Sequence, residues 1–240
     1  MKEKFLTKQQ IHRKTIVAFG FFLIAICTAY LLWNGLRTQE KNAGTPKILR
    51  QAFRTNETIF SNLFNEKKLV KTYPVSEAVK TVWVNGLFGL KDASFDPATW
   101  TMRVLRNNVD TLFISIEDIK KLPKTEVVFD FKCIEGWSQK TWWGGVTFED
   151  FVKHYGLESE ASKTYVSLST PDRQYYVGID MRSMTQPQTI LCYEMNGKPL
   201  PQNHGYPLRL IIPVKYGIKH IKRIGTVYFS DTRPPYYWAE

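Results

Sequence analysis

The stretch Val127-Val128-Phe129-Asp130-Phe131-Lys132-Cys133-Ile134-Glu135 carries the architecture of this chain. It is rich in β-branched and aromatic residues, and from Phe129 onward apolar and polar side chains alternate. That period predicts a strand over 126–134 with Phe129, Phe131, Cys133 and Glu135 on one face. A thiol and a carboxylate then emerge together at the end of the strand. A thiolate is a soft metal ligand, and a carboxylate one strand-step away can move protons beside it. Taken alone, the pair suits a buried structural cysteine beside a solvated glutamate at least as well.

Strand-like runs recur at 164–168, 174–179, 208–212 and 226–229, separated by frequent turns. Two short helices are bounded by their own signals. Ser115 caps one, with Asp118 at its third position, Ile116, Ile119 and Leu122 facing inward and Pro123 as terminator. Thr147 and Asp150 start the other, in which Phe148, Phe151, Val152 and Tyr155 share a face before Gly156. Residues 73–240 therefore read as an α+β domain weighted toward β.

What precedes this domain has a different character. Thr15 to Leu36 is a run of 22 uncharged residues, roughly 33 Å long as a helix and enough for a hydrocarbon core of about 30 Å. We read 15–36 as a transmembrane anchor. It is longer than a typical signal core, and no clear small-x-small cleavage site follows it. Positive charges concentrated before the span make 1–14 a cytoplasmic basic leader and place the bulk of the chain across the membrane. Residues 37–72 read as a linker and an amphipathic helical segment, with Thr45 as cap and Pro46 as first helical residue. Ile48, Leu49, Ala52 and Phe53 share a face, as do Ile59, Phe60, Leu63 and Phe64 after a break near Asn56. That face can pack on the domain, the simpler fate, or lie on the membrane surface.

The chain holds 33 Lys and Arg against 22 Asp and Glu, net +11, with 43% hydrophobic and 14% aromatic residues. Disorder is excluded by that apolar content. A net +5 belongs to the leader up to Arg37, and +6 to the acid-free stretch Met195 to Ser230, through Lys198, Arg209, Lys215, Lys219, Lys222 and Arg223. The remainder sums to zero, so a nucleic-acid coat is not indicated and one local anion site is. Lys219, Lys222 and Arg223 could instead protect a solvated strand edge. Cys27, Cys133 and Cys192 contain no Cys-x-x-Cys pair, which excludes a disulfide scaffold, a zinc ribbon and a covalently attached haem.

Cys133-Ile134-Glu135-Gly136-Trp137-Ser138, followed by Trp143-Gly144-Gly145-Val146-Thr147-Phe148-Glu149-Asp150-Phe151, resembles the core of the sulfite oxidase superfamily of molybdopterin oxidoreductases. Met195 to Pro201, His204-Gly205-Tyr206-Pro207-Leu208-Arg209-Leu210 and Lys215 to Lys222 are similar to that family in order and spacing. The similarity spans 81–240 and points to the bacterial branch that includes the catalytic subunit of periplasmic methionine sulfoxide reductase. It implies the family's molybdopterin-binding fold and a molybdenum-molybdopterin cofactor. Cys133 would be the thiolate ligand of the metal, with Glu135 beside it. Cofactor contacts would fall on Asn85, Phe88, Gly89, Thr170, His204, Arg209, His220, Ile221 and Lys222. Gly89 stands where the sulfoxide reductase pattern has an acid, and His204 where it has an asparagine. Arg and Lys side chains and turn N–H groups suit the terminal phosphate of such a cofactor. Trp137, Trp142 and Trp143 either line the way to the metal or fill the core beside the strand.

The function implied is two-electron oxygen-atom transfer on a small sulfoxide or oxyanion-type substrate, by a single-pass protein of the inner membrane whose catalytic domain faces the periplasm. Two other classes fit the residues without the resemblance: a cysteine hydrolase or transpeptidase using Cys133 with His154 or His204, and a non-catalytic anchored module binding an anion through Arg209 to Arg223. The sequence holds no haem-attachment motif, no iron–sulfur cysteine set and no histidine within the span. Electrons would come from a separate haem- or quinone-linked membrane partner. Cys192 reads as a buried apolar residue or, less simply, a disulfide partner of Cys133.

Overall fold

The uncharged run forms a single helix, α1 (Lys8–Thr38), in a computed structural model that describes residues 7–39, 41–42, 45–65, 67–84, 86–106 and 110–239. Thr7 and Gln10 start it with a reciprocal capping box, the Thr7 N–H donating to Gln10 Oε1 at 3.0 Å. The helix is long and apolar enough to cross a membrane, and none of its residues is buried. It belongs to a first unit, Met1–Phe64, with β1 (Lys41–Asn42), β2 (Thr45–Pro46) and α2 (Lys47–Leu63). The start of α2 corrects the sequence reading. Pairing with β1 holds Thr45 and Pro46 extended, so Pro46 is the cap, which offers no side-chain hydrogen bond, and Lys47 is the first helical residue. There is also no break at Asn56, because its propensity penalty of a few tenths of a kcal/mol is smaller than the cost of nucleating a second helix. No residue of α2 is buried.

The second unit, Asn65–Glu240, contains β3 (Thr101–Arg106), β4 (Asp110–Ser115), α3 (Ile116–Lys120), β5 (Thr125–Lys132), β6 (Ser138–Thr147), α4 (Phe148–His154) and α5 (Glu158–Ala161). It continues with β7 (Tyr165–Ser169), β8 (Tyr176–Asp180), α6 (Met181–Met184), β9 (Ile190–Met195), β10 (Lys198–Pro199), β11 (Arg209–Ile211) and β12 (Thr226–Ser230). The unit opens before Tyr73 because Thr72 bridges Phe129 of β5, and Val70 exchanges hydrogen bonds with the Gln188 amide at 2.7 and 3.0 Å.

Two five-stranded sheets organise this unit. One runs β4-β3-β12-β7-β8, antiparallel except where β12 lies parallel to β3. The other runs β10-β9-β6-β5, with β11 also paired to β9. The larger core joins Met102, Val104, Leu168 and Val227 of the first sheet to Phe148 and Phe151 of α4 and to Leu191 and Leu210 of the second sheet. A smaller core holds Phe129, Phe131, Trp143, Cys192 and Ile211. The second sheet is thus covered on both faces, and its β5 face is the one predicted from alternation. Both predicted helix caps form, Ser115 accepting from the Asp118 N–H at 3.2 Å and Thr147 from the Asp150 N–H at 3.0 Å. Ser115→Ala is expected to cost about 1 kcal/mol in urea denaturation with an unchanged m-value.

Candidate active site

β5 stops at Lys132, one residue before the cysteine, and the chain turns there. The Cys133 N–H donates to the Trp137 carbonyl at 2.9 Å and the Gly136 N–H to the Cys133 carbonyl at 3.2 Å, closing the hairpin onto β6. Cys133 is buried and Glu135 exposed. Their juxtaposition is therefore the work of a turn rather than of strand alternation, which corrects the sequence reading. The Trp137 indole donates to Glu135 Oε2 at 2.9 Å and fixes the carboxylate. Trp137 also stacks on Phe131, whereas Trp143 is fully buried in the smaller core.

Cys133, Ile134 and Glu135 form one wall of a pocket. The other walls come from distant parts of the chain: Gly86 and Phe88, Tyr175 between β7 and β8, Trp238 near the C-terminus, and Gly217, Ile218, His220 and Lys222 after β11. Phe88 stacks on Tyr175 and meets Trp238 edge-on at 5.3 Å, while the Tyr175 hydroxyl donates to the Ile218 carbonyl at 2.6 Å. Sequence reasoning missed Tyr175, Ile218 and Trp238. The aromatic run Tyr236-Tyr237-Trp238 after two prolines was the available signal.

Buried basic side chains adjoin the pocket through His220 and Lys222. Arg209, 1% exposed, donates from Nη1 to the His204 carbonyl at 3.0 Å and from Nη2 to the His220 carbonyl at 3.1 Å, with its guanidinium 4.8 Å from the Trp143 ring. Its Nε is buried with no hydrogen-bond partner. Burial pulls Arg209 down to about 10, which leaves it charged at neutral pH. Lys222 Nζ donates to the carbonyls of Gly86 at 2.8 Å and Asn203 at 3.0 Å; burial first, then Arg209, lower it to about 7. The same two causes bring His220 to about 3, and burial, Arg209 and Lys222 bring His204 to about 4. Both rings are neutral. The acid-free stretch is thus not a solvated strand edge: Lys215 pairs with Asp180 at 2.8 Å, and Arg209, Lys222 and Arg223 are buried.

Of the residues singled out in the sequence, Phe88, Cys133, Glu135, His220 and Lys222 line the pocket. Thr170 and Gly89 meet beside it. Gly89 has φ +69°, and a Cβ there would come within 2.3 Å of Thr170 Cγ2, so the acid found at this place in the related pattern has no room. His204 is buried and contributes its carbonyl to Arg209. The next residue, Gly205, has φ +102° and passes so close to Lys222 that a Cβ would stand 2.8 Å from the Lys222 Cβ. Ile221 points into the larger core and not into the pocket. Asn85 lies outside the described residues. The cysteines are all free, so Cys133 and Cys192 form no disulfide. Among the described residues no three His, Cys, Asp or Glu side chains gather as a metal site.

An α+β frame of two sheets, with a single thiol in the wall of a pocket and buried cations near it, is consistent with the sulfite-oxidase class of molybdopterin-binding domain. Residues 89–238 match the family described as oxidoreductase molybdopterin binding domain, and the chain belongs to that family. A protein of Azospira oryzae named for a protein-methionine-sulfoxide reductase subunit, YedZ1, is 30% identical over 78% of this chain and 71% of its own length. The protein-methionine-sulfoxide reductase catalytic subunit MsrP of Xanthomonas axonopodis is 31% identical over 83% of this chain and 64% of its own length. The MsrP of Campylobacter jejuni is 30% identical over 60% of this chain, which spans 54% of that protein. In fold the chain resembles the sulfane dehydrogenase SoxCD of Paracoccus pantotrophus, with a TM-score of 0.52 at 17% identity over 58% of this chain and 40% of that one. The protein is an oxidoreductase of the molybdopterin-binding family, which sets aside the hydrolase and non-catalytic alternatives.

Proposed function

We propose that this chain is a membrane-anchored molybdopterin oxidoreductase that exchanges an oxygen atom with a small sulfoxide or oxyanion-type substrate, coupled to two electrons and protons. The observation that carries the proposal is the Cys133 thiol in the wall of a pocket that Lys222 and His220 also line, with Arg209 buried behind it on the His220 carbonyl. The donor set fits the cofactor. A soft thiol is available to a soft metal, and a buried guanidinium N–H without a partner, beside a buried lysine amine that an anion would draw to its charged form, suits an anionic group. When bound, the molybdenum centre supplies the two-electron oxygen-atom exchange. Cys133 would ligate it; Arg209, Lys222 and the neighbouring His204, His220 and Thr170 would hold the pterin. Phe88, Tyr175 and Trp238 give the pocket an apolar wall, and Glu135, exposed at its wall with Trp137 bonded to Oε2, passes protons between solvent and substrate. A sulfoxide is favoured by the names of the relatives. Because the chain spans about two thirds or less of most of them, its own substrate is left to assay. Expressed in a host that makes the pterin, the purified protein should contain about one molybdenum per chain by elemental analysis. A folded protein without molybdenum would overturn the proposal.

The cofactor also bears on location. We propose that α1 crosses the inner membrane, that the catalytic domain faces the periplasm, and that a separate haem- or quinone-linked membrane protein exchanges electrons with it. Four net positive charges precede the apolar run, and Arg13-Lys14 approximates a twin-arginine export signal. Protease added to intact spheroplasts should digest the domain, and loss of the folded-protein translocase should keep it inside. Protection of the domain in spheroplasts of a normal strain would reverse the orientation.

A further inference from the structure

Helix α2 separates its residues by character along its whole length. At about 100° per residue, Ile48, Leu49, Ala52, Phe53, Ile59, Phe60 and Leu63 fall within an arc of about 140°, interrupted by Asn56 alone. Every charged side chain is on the remaining arc. Within its own unit the apolar face is uncovered: Phe53 is 63% exposed, Phe60 67% and Leu63 72%. A helix of 17 residues that buries nothing against its own unit is marginal in water, so this face needs an apolar medium.

Two observations identify that medium. The first is position within the N-terminal unit. Gln39, the C-cap of α1, accepts the Ile48 N–H on its Oε1 at 3.3 Å, and the β1–β2 pair closes the segment between. The first turn of α2 is thereby fastened to the end of the apolar helix, at the level where a span leaves the hydrocarbon. The second is charge. The polar arc carries Lys47, Arg50 and Arg54 against Glu57, and the three cations occupy the half of α2 nearest α1, with Arg37 in the last turn of α1. Cations over an apolar face with two phenylalanines are the chemistry of a helix lying among anionic lipid headgroups.

We propose that α2 lies in the headgroup layer of the bilayer crossed by α1, apolar face toward the acyl chains, so that the protein is held by a span and an interfacial helix together. This rests on the reading of α1 as a span. The test uses the full chain in phosphatidylcholine vesicles with and without phosphatidylglycerol, with the photo-crosslinker p-benzoylphenylalanine replacing Phe22, Phe53, Phe60 or Arg54 in turn. Mass spectrometry after irradiation should find lipid adducts from 53 and 60, severalfold fewer from 54, and a severalfold higher yield at 53 and 60 when phosphatidylglycerol is present. Position 22 reports on α1 separately: its failure to label lipid would overturn the span, whatever α2 does. With position 22 in lipid, adducts from 53 and 60 to residues 65–240, to a second copy or to nothing would overturn the interfacial helix. Equal yields in both vesicle types would overturn the part given to Lys47, Arg50 and Arg54.

Discussion

Cys133→Ser should lower turnover by more than about a hundredfold while the domain stays folded, whereas Cys192→Ser should keep activity within about threefold. The contrast follows from where the two thiols sit. Cys133 lines the pocket, and the bonds that shape its turn run through backbone atoms that a serine retains. What the substitution removes is the soft sulfur, and a serine hydroxyl is a poor substitute as a ligand for a soft metal. Cys192 is fully buried in the smaller core, its Sγ donates to the Glu194 carbonyl at 3.1 Å, and burial pushes the thiol up to about 12. It stays protonated and touches no pocket. A serine there can keep the donor while burying a more polar group, at a cost of about 1–2 kcal/mol in stability. Steady-state rates with melting temperatures separate the two effects. Equal losses of activity at unchanged stability would sink the assignment of Cys133, and a thiol count of three on the denatured, unreduced protein checks that neither forms a disulfide.

The parts legible in the sequence were those whose signals are local. Ser115 with Asp118 and Thr147 with Asp150 announce helix starts within four residues, and Phe129 and Phe131 show the buried face of β5 by alternation alone. Strands β3, β4, β6 and β9 were not foreseen. In β6, Gly144 and Gly145 break the pattern, and their extended conformation is imposed by β5 on one side and β9 on the other, with a register shift between the two glycines. The site divides in the same way. Cys133, Arg209 and Lys222 are carried by a motif, but Tyr175, Ile218 and Trp238 become neighbours only because the loops after β7, β11 and β12 converge. No spacing in the chain encodes that convergence. Glu135 was placed beside Cys133 for the wrong local reason: the strand ends early, and a turn supplies the proximity.

Acid should unfold the cofactor-free protein at a pH where its carboxylates are still ionised, because two buried histidines oppose protonation. His220 is already satisfied as a neutral ring: Nδ1 accepts the Ile212 N–H at 3.4 Å, which leaves Nε2 to donate to the Lys215 carbonyl at 3.1 Å. Its ring stacks against Phe129 at 6.1 Å. A proton on Nδ1 would face that N–H and the Arg209 charge, so His220 sits at about 3 and His204 at about 4 in the folded state, against an ordinary value near 6.5. Lowered folded-state values mean that the unfolded chain binds these protons first. The contribution of the two rings is therefore whole above pH 6.5 and falls as the pH drops toward 4, by up to about 1.4 kcal/mol per pH unit for each ring. Near pH 4.5 the pair withdraws about 5 kcal/mol, comparable to the whole stability of a typical domain. Asp118, held at about 2 by Lys121 and Ser115, loses its contribution only in more acidic solution. Urea midpoints between pH 7 and 4.5 should trace this loss, and His220→Gln, which can keep both hydrogen bonds without titrating, should remove about half of the slope. An unchanged slope in that variant would show that the ring is not its source. An anionic cofactor beside Arg209 and Lys222 offsets the charge that repels protons from both rings, so the loaded protein should hold its stability to a lower pH than the empty one.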